Sequence, residues 1–419
     1  MNQQPSSSPA LSPTLLSPRG LPQVPIVPRA VQRIKAGLPL ILRADVTAEP
    51  PVETELVQLC DLRGQAIATA LWVSQGPIAA RLWSMQGEPF SDVVLARRLA
   101  AALERRRPLL LSGERDAFRV VHGEADLLPG LFVDRYADAV VIQTATRAMD
   151  RRKPLLSDLL GQILPIDRVL FRDDGSARDM ESLPREKGFL RGGPLRRVRF
   201  HDAGSMMEVD LLSDRKTGSF LDQQDNHAEV ASWAQSLCPG GQALDTFTYH
   251  GGFALAMARA GLFVIACDED PQAIARARHN AELSQVSVDF RVHNAFDLLR
   301  SYEAEGRRFD VVVLDPPALA KRGRTAGLGS AAMAQAMRAY KELNLRALRI
   351  LRPGGLLATC SCSGRVAVED FSTMLRSAAQ DAGRPLQLLW RRGAGIDHPV
   401  LWGLPESEYL KCWLFRVLS

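Results

Sequence analysis

Phe309-Asp310-Val311-Val312-Val313-Leu314-Asp315-Pro316-Pro317 is the stretch that decides the architecture of the C-terminal half of this chain. Its first six residues are mostly apolar and β-branched, the pattern of a strand buried on both faces in a parallel sheet. The run ends in a carboxylate followed by two prolines, which fix the backbone and remove two amide donors. A second run, Gly354-Gly355-Leu356-Leu357-Ala358, leads into Thr359-Cys360-Ser361-Cys362-Ser363-Gly364. Open α/β sheets bind ligands outside the carboxyl ends of their strands, so Asp315 and Cys362 are expected at one edge. A carboxylate and a thiol brought together there suit covalent chemistry on a heterocyclic base. Taken singly, Asp315 reads as a turn residue and Cys362 as a small core side chain.

From Met206 onward, apolar strands alternate with amphipathic helices, which predicts a doubly wound, mostly parallel sheet. Ala243-Leu244-Asp245-Thr246-Phe247 reads as its first strand, and Tyr249-His250-Gly251-Gly252-Phe253 as the turn into a helix over 254–260. Gly251 and Gly252 let the backbone approach a ligand closely. The next strand, Leu262 to Cys267, ends in Asp268, at the separation where a ribose-binding acid follows a nucleotide turn. Asn294-Ala295-Phe296-Asp297 follows strand three, and Asp315 follows strand four. The turn is not G-x-G-x-x-G, and no G-x-x-x-x-G-K-[ST] is present, so a nucleoside ligand without phosphate is expected.

The composition sets the bounds. The 419 residues fit two or three domains, and 46% hydrophobic with 24% charged residues is ordinary for a globular chain. A net charge of +5 from 52 basic and 47 acidic residues permits a polyanionic partner without requiring one. Cys60, Cys238, Cys267, Cys360, Cys362 and Cys412 lack metal-ligand spacing and form no cluster with the seven histidines. No metal and a reducing, cytoplasmic setting are therefore expected. No run has the length of a membrane span. Residues 1–25, rich in Ser and Pro, read as a disordered tail. Residues 26–97, with short β-like runs broken by Gly and Pro, read as a small barrel. Residues 98–203 read as a central α+β module, and 204–419 as the α/β sheet domain. Arg105-Arg106-Arg107, Arg151-Arg152-Lys153 and the arginines of 191–199, among them Arg196 and Arg197, are candidate phosphate contacts. A charge run is more commonly a solvated face.

Lys216-Thr217-Gly218-Ser219-Phe220-Leu221-Asp222-Gln223, the Leu244–Ala254 segment, Asp315-Pro316-Pro317, Ser361-Cys362-Ser363-Gly364, Asp397-His398-Pro399-Val400 and Pro405 to Lys411 together resemble one family. It is the class I S-adenosylmethionine-dependent methyltransferases, and within them the bacterial large-subunit ribosomal RNA cytosine-C5 methyltransferases. The resemblance spans residues 26–419. It implies a Rossmann-like seven-stranded methyltransferase sheet preceded by a PUA-like RNA-binding barrel and a central α+β module. It implies S-adenosylmethionine held by Thr217, Phe220, Asp222, Gln223, Asp245, Phe247, Tyr249, Gly251, Gly252, Asp268, Asn294, Ala295 and Asp315. Pro316, Pro317, His398 and Tyr409 would line the target base. The implied partner is large-subunit (23S) ribosomal RNA, and a homodimer is a possible assembly. The family carries an aromatic where Ser219 stands, Arg at Gln224 and often at His227, Thr at His250 and Asp at Asn294. Ala318-Leu319 replaces a basic-aromatic pair.

The chemistry can also be built from the residues. C5 of cytosine is a poor nucleophile, and a thiolate adding to C6 makes it an enamine carbon able to take a methyl group. Cys362 is the expected thiol, with Cys360 as its rival two residues away. Asp315 would hold the N3 edge and stabilise the developing charge. Two other readings stay open. One is methylation of a guanine or an exocyclic amine of RNA, and the other is a non-catalytic RNA-binding ribosome-assembly factor.

Overall fold

The computed structural model describes residues 20–51, 53–112, 115–319 and 330–418. By contact the chain divides into two compact units. One runs to Arg105 and takes in Gly123–Phe132 and Ile142–Arg191; the other comprises Arg106–His122, Val133–Val141 and the chain from Gly192 onward. The central segment, expected as a module of its own, is thus shared between them. Residues 1–19 of the expected tail lie outside the described residues. The rest of that tail is not unstructured, because Gln23–Pro25 pairs in parallel with Leu56–Cys60. Val24 and Ile26 are fully buried, so hydrophobic burial offsets the ordering that the Pro-rich composition disfavours.

The first unit contains a five-stranded sheet in the order Gln23–Pro25, Leu56–Cys60, Ala66–Trp72, Ile78–Ser84, Leu40–Leu42. The helix Pro28–Lys35 begins at Pro28, where a missing amide costs nothing, and buries Ala30 and Ile34. Ile34, Ile41, Val57, Leu59, Ala70 and Trp72 belong to one core cluster. This is the small β-rich domain read from the punctuated sequence.

The second unit contains a seven-stranded sheet. Its spatial order is Val288–Val292, Phe263–Asp268, Gln242–Thr246, Phe309–Leu314, Leu351–Ser361, Lys411–Val417, Leu386–Arg392. The first five strands are parallel, and Lys411–Val417 runs antiparallel to both of its neighbours. Leu244, Val312, Leu314 and Leu357 pack with Tyr340, Leu343, Ala347, Phe371 and Leu375 of the helices Ser330–Ile350 and Val368–Ala382. Successive strand residues point to opposite faces, yet Ala243, Val311, Val313 and Leu356 are also fully buried. The continuous apolar runs are therefore covered on both faces, as a parallel sheet requires.

Buried polar groups bind the short segments of this unit together. Arg119 forms a two-pronged ion pair with Asp134, both bonds at 2.8 Å, and its amide donates to Asp397 Oδ2 at 2.8 Å. Arg106 donates to Asp397 O at 2.8 Å. Leu357→Ala in the sheet centre should lower unfolding free energy by about 2–5 kcal/mol, measured by urea denaturation. A loss below about 1 kcal/mol would mean that the two-faced core is not packed as described.

Candidate active site

The strand order reverses between Gln242–Thr246 and Phe309–Leu314, whose connections leave in opposite directions. Outside the carboxyl ends of these strands a crevice has to open. A cavity of about 390 Å³ lies there, lined by Lys216, Phe220, Asp222, Gln223, Phe247, Tyr249, Gly252, Asp268, Asp315, Pro316, Pro317, Cys362 and Tyr409.

The turn after the first strand is strained. Phe247, Tyr249 and Gly251 have φ of 63°, 50° and 96°, a left-handed conformation that costs the two aromatic residues energy. Asp268 holds it: its Oδ2 accepts from Tyr249 N at 2.9 Å, while Oδ1 accepts from Asp270 N at 3.0 Å. Tyr249 Oη accepts from Arg215 N at 2.8 Å, and the Phe220 ring meets the Tyr249 ring edge-on at 5.1 Å. A side chain at Gly252 would sit 2.2 Å from His227 Cε1, so this position admits only glycine.

Cys362 lies one residue past the end of strand Leu351–Ser361, with Sγ 3.9 Å from Pro316 O. Burial pushes its thiol up to about 11, the Asp315 charge adds to this, and the Lys216 ammonium opposes it. Cys360 pairs across the ladder with Cys412, is 1% exposed and does not line the cavity. The strict alternation that would give the two thiols a common face ends where the strand ends.

Asp315 accepts from Gln223 Nε2 at 3.0 Å, and burial pushes its carboxyl up to about 6 against the pull of His227. Burial also acts against charge on Asp222, yet Lys216, His398 and the Tyr409 hydroxyl, which donates at 2.5 Å, hold that carboxyl well below the usual range. His227 lines the cavity with Nδ1 2.9 Å from Asp202 Oδ1. Burial disfavours its charge, but Asp202 prevails and raises the imidazole above its ordinary value.

Other expected residues stand outside the cavity lining. Thr217 is buried and donates to Asp134 Oδ2 at 2.7 Å, which makes it an anchor of the loop. Asp245 lies behind the turn; it accepts from Thr248 Oγ1 at 2.6 Å, its Oδ1 has no partner, and burial pushes it up to about 7. Gly251 shapes the turn, and Ala295 is core. Asn294 caps the helix Ala295–Ala304 and donates to Glu269 Oε2 at 3.2 Å; the cavity wall there is Glu269. His398 is buried against Asp397 at 2.9 Å and behind the wall. Arg196 and Arg197 belong to a hairpin strand and its approach, paired with Asp210 at 2.8 Å and Glu208 at 3.9 Å. Lys216, His227 and Glu269 were not singled out from sequence as site residues. The acid that orients His227 comes from 25 residues upstream, a pairing with no sequence periodicity.

Residues 24–85 match the model of a PUA-like domain, and residues 238–389 that of a methyltransferase domain. Two solved structures share the fold over 95% of this chain and all of theirs, at 18% identity. They are a SAM-dependent methyltransferase from Streptococcus mutans, with a TM-score of 0.80, and SMU.776, a methyltransferase complexed with SAH, with a TM-score of 0.81. Fold and matched domains define a chain with a PUA-like domain and a methyltransferase domain built on a Rossmann-like sheet. Ribosomal RNA large subunit methyltransferase I of Erwinia tasmaniensis is 34% identical over 386 residues, 90% of this chain and 93% of that protein. The protein of the same name from Aeromonas salmonicida is 34% identical over 372 residues, 87% of this chain and 91% of that protein. The chain belongs to this family, the ribosomal RNA large subunit methyltransferases I.

The residues present fit S-adenosylmethionine, the cofactor that the resemblance implies. A carboxylate has about four acceptor positions, and two of those on Asp268 are taken by backbone amides, which leaves acceptors for a ribose diol. Asp268→Ala should weaken S-adenosylmethionine binding by about 1.5–3 kcal/mol in calorimetric titration, and unchanged affinity would remove Asp268 from the site. Lys216 is the cation that opposes the rise of the Cys362 thiol. Lys216→Ala should therefore push that thiol higher still and slow its alkylation by iodoacetamide at pH 8–9. An equal or faster rate would show that Lys216 does not act on Cys362.

Proposed function

We propose that this protein methylates C5 of a cytosine in large-subunit ribosomal RNA through a covalent adduct with Cys362. The observation that carries the reading is a thiol and a carboxyl, Cys362 and Asp315, lining one cavity with Asp268, beside a Pro-Pro wall. An exocyclic amine needs no thiol, whereas C5 of cytosine does. The names of the relatives and the PUA-like domain support ribosomal RNA as the substrate.

Bound S-adenosylmethionine would supply an electrophilic methyl group to C5 of the adduct, its sulfur leaving as a neutral thioether, and Asp268, Phe247, Phe220 and Tyr249 would hold it. Cys362, once deprotonated, forms a bond from sulfur to C6 of the base, and the displaced π electrons move toward C5 and N3. Asp315, raised to about 6 by burial, carries a proton on part of its population near neutrality and can donate it toward N3. Gln223 fixes the orientation of that carboxyl. Lys216 favours the thiolate. Loss of the C5 proton to solvent then re-forms the C5–C6 double bond, the C6–S bond breaks to release Cys362 as the thiolate, and N3 returns its proton to Asp315.

RNA containing 5-fluorocytidine should form a denaturation-resistant complex with the protein in the presence of S-adenosylmethionine, because fluorine cannot leave as a proton. Cys362→Ser should abolish both that complex and 5-methylcytosine formation, while Cys360→Ser should keep substantial activity. Full turnover by Cys362→Ser would sink the covalent mechanism and leave nitrogen methylation as the better reading.

A further inference from the structure

A second cavity of the same unit, about 530 Å³, lies between the helix Val368–Ala382 and the strands Leu386–Arg392 and Lys411–Val417. Leu386–Arg392 is the edge strand of the sheet. Trp413 and Phe415 line it together with three guanidinium groups: Arg376 from the helix, Arg384 from the turn after it and Arg391 from the edge strand. No acidic side chain lines it. Arg376 donates to Ser372 Oγ at 2.8 Å, Arg384 to Leu351 O at 3.5 Å, and Arg391 lies over the Trp413 ring at 4.4 Å. Among the described residues none of the three is in an ion pair. Nearby arginines differ, since Arg346 and Arg349 bind Glu303, Arg352 binds Asp310 and Arg392 binds Glu229.

Three cations sharing one cleft repel each other and focus a positive potential that an anion relieves. Planar guanidinium forks match phosphate oxygens, and an arginine lying on an aromatic ring offers a face for an unpaired base. A hydrogen-bond chain joins the end of the edge strand to the active site. Arg391 is two residues before Gly393, whose carbonyl accepts from Asn226 Nδ2 at 3.1 Å. Asn226 donates to Gln223 Oε1 at 2.6 Å, and Gln223 reaches Asp315.

We propose that this cleft binds the phosphate backbone of single-stranded RNA flanking the target nucleotide, through Arg376, Arg384 and Arg391. The proposal rests on the RNA reading above. It assigns the phosphate path to these three arginines in preference to Arg196 and Arg197, whose charges already meet Asp210 and Glu208.

The test is binding of a fluorescent oligocytidylate to the full chain over a salt series. Each phosphate contact to a single strand contributes about 0.7 to the slope of log K against log salt. The triple variant Arg376→Gln, Arg384→Gln, Arg391→Gln should flatten that slope by about 2 with S-adenosylmethionine affinity unchanged, and the triple Lys variant should restore it. Should the triple Gln variant misfold, each single variant should flatten the slope by about 0.7. An unchanged slope in folded variants overturns the proposal. So does loss of polyglutamate binding with the RNA slope intact, which would give the cleft to an acidic protein segment. Because binding is read and not methylation, a flattened slope in a protein that forms no 5-methylcytosine would keep the cleft and reject the proposed chemistry.

Discussion

A carboxylate kept charged with almost no water around it, Asp222, is the constraint on which the site depends. Burying an ionised carboxyl is expensive unless its partners are fixed in place. Here they are the Tyr409 hydroxyl, from far along the sequence, and the Lys216 ammonium, six residues before it, while the backbone carbonyl of Asp222 accepts from the amide of Gly395. Meeting that demand draws the loop before the sheet and the segment before its last strand over the same edge. Gln223, the next residue, then reaches Asp315. Asn226, one helical turn on, ties Gln223 to Gly393. A cost arising at one atom thereby helps to position the cavity wall, the loop of residues 216–223 and the Asp315 carboxyl.

Around that anchor, environment sorts chemically identical groups into different states. Asp222 stays ionised because cations and a hydroxyl surround it, while Asp245 and Asp315, with fewer partners, are raised by burial to about 7 and about 6. Asp202 raises the His227 imidazole above its ordinary value, whereas burial, with Arg276 and Arg215 adding to it, lowers His250, stacked on Tyr249 at 3.6 Å, to about 3. Separation of this kind lets one small cavity hold an anion and a proton donor at a single pH.

The strain of the turn belongs to the same design. Phe247 and Tyr249 adopt left-handed backbone angles because Asp268 takes the Tyr249 amide and Arg215 offers its own to the Tyr249 hydroxyl. With these bonds in place both aromatic side chains line the cavity, and Phe247 also packs against the core.

Sequence alone determined the order of strands and helices in the second unit, because the apolar runs are long, continuous and end in recognisable turns. It also determined that Asp268, Asp315 and Cys362 fall at strand ends, since strand length fixes where a run leaves the sheet. The Pro-rich N-terminal stretch was the place where composition misled, as the burial of Val24 and Ile26 depends on a partner strand more than 30 residues away. Tertiary structure alone decided which of two nearby thiols meets the cavity, because the alternation linking Cys360 to Cys362 stops at the last ladder bond. It alone decided that Thr217, Asn294 and His398 stand behind the wall, and that His227 and Lys216 stand in it. Thr217 and His227 owe their placements to acids 83 and 25 residues upstream, and no local pattern in a chain encodes which of its distant groups will share a low-dielectric space.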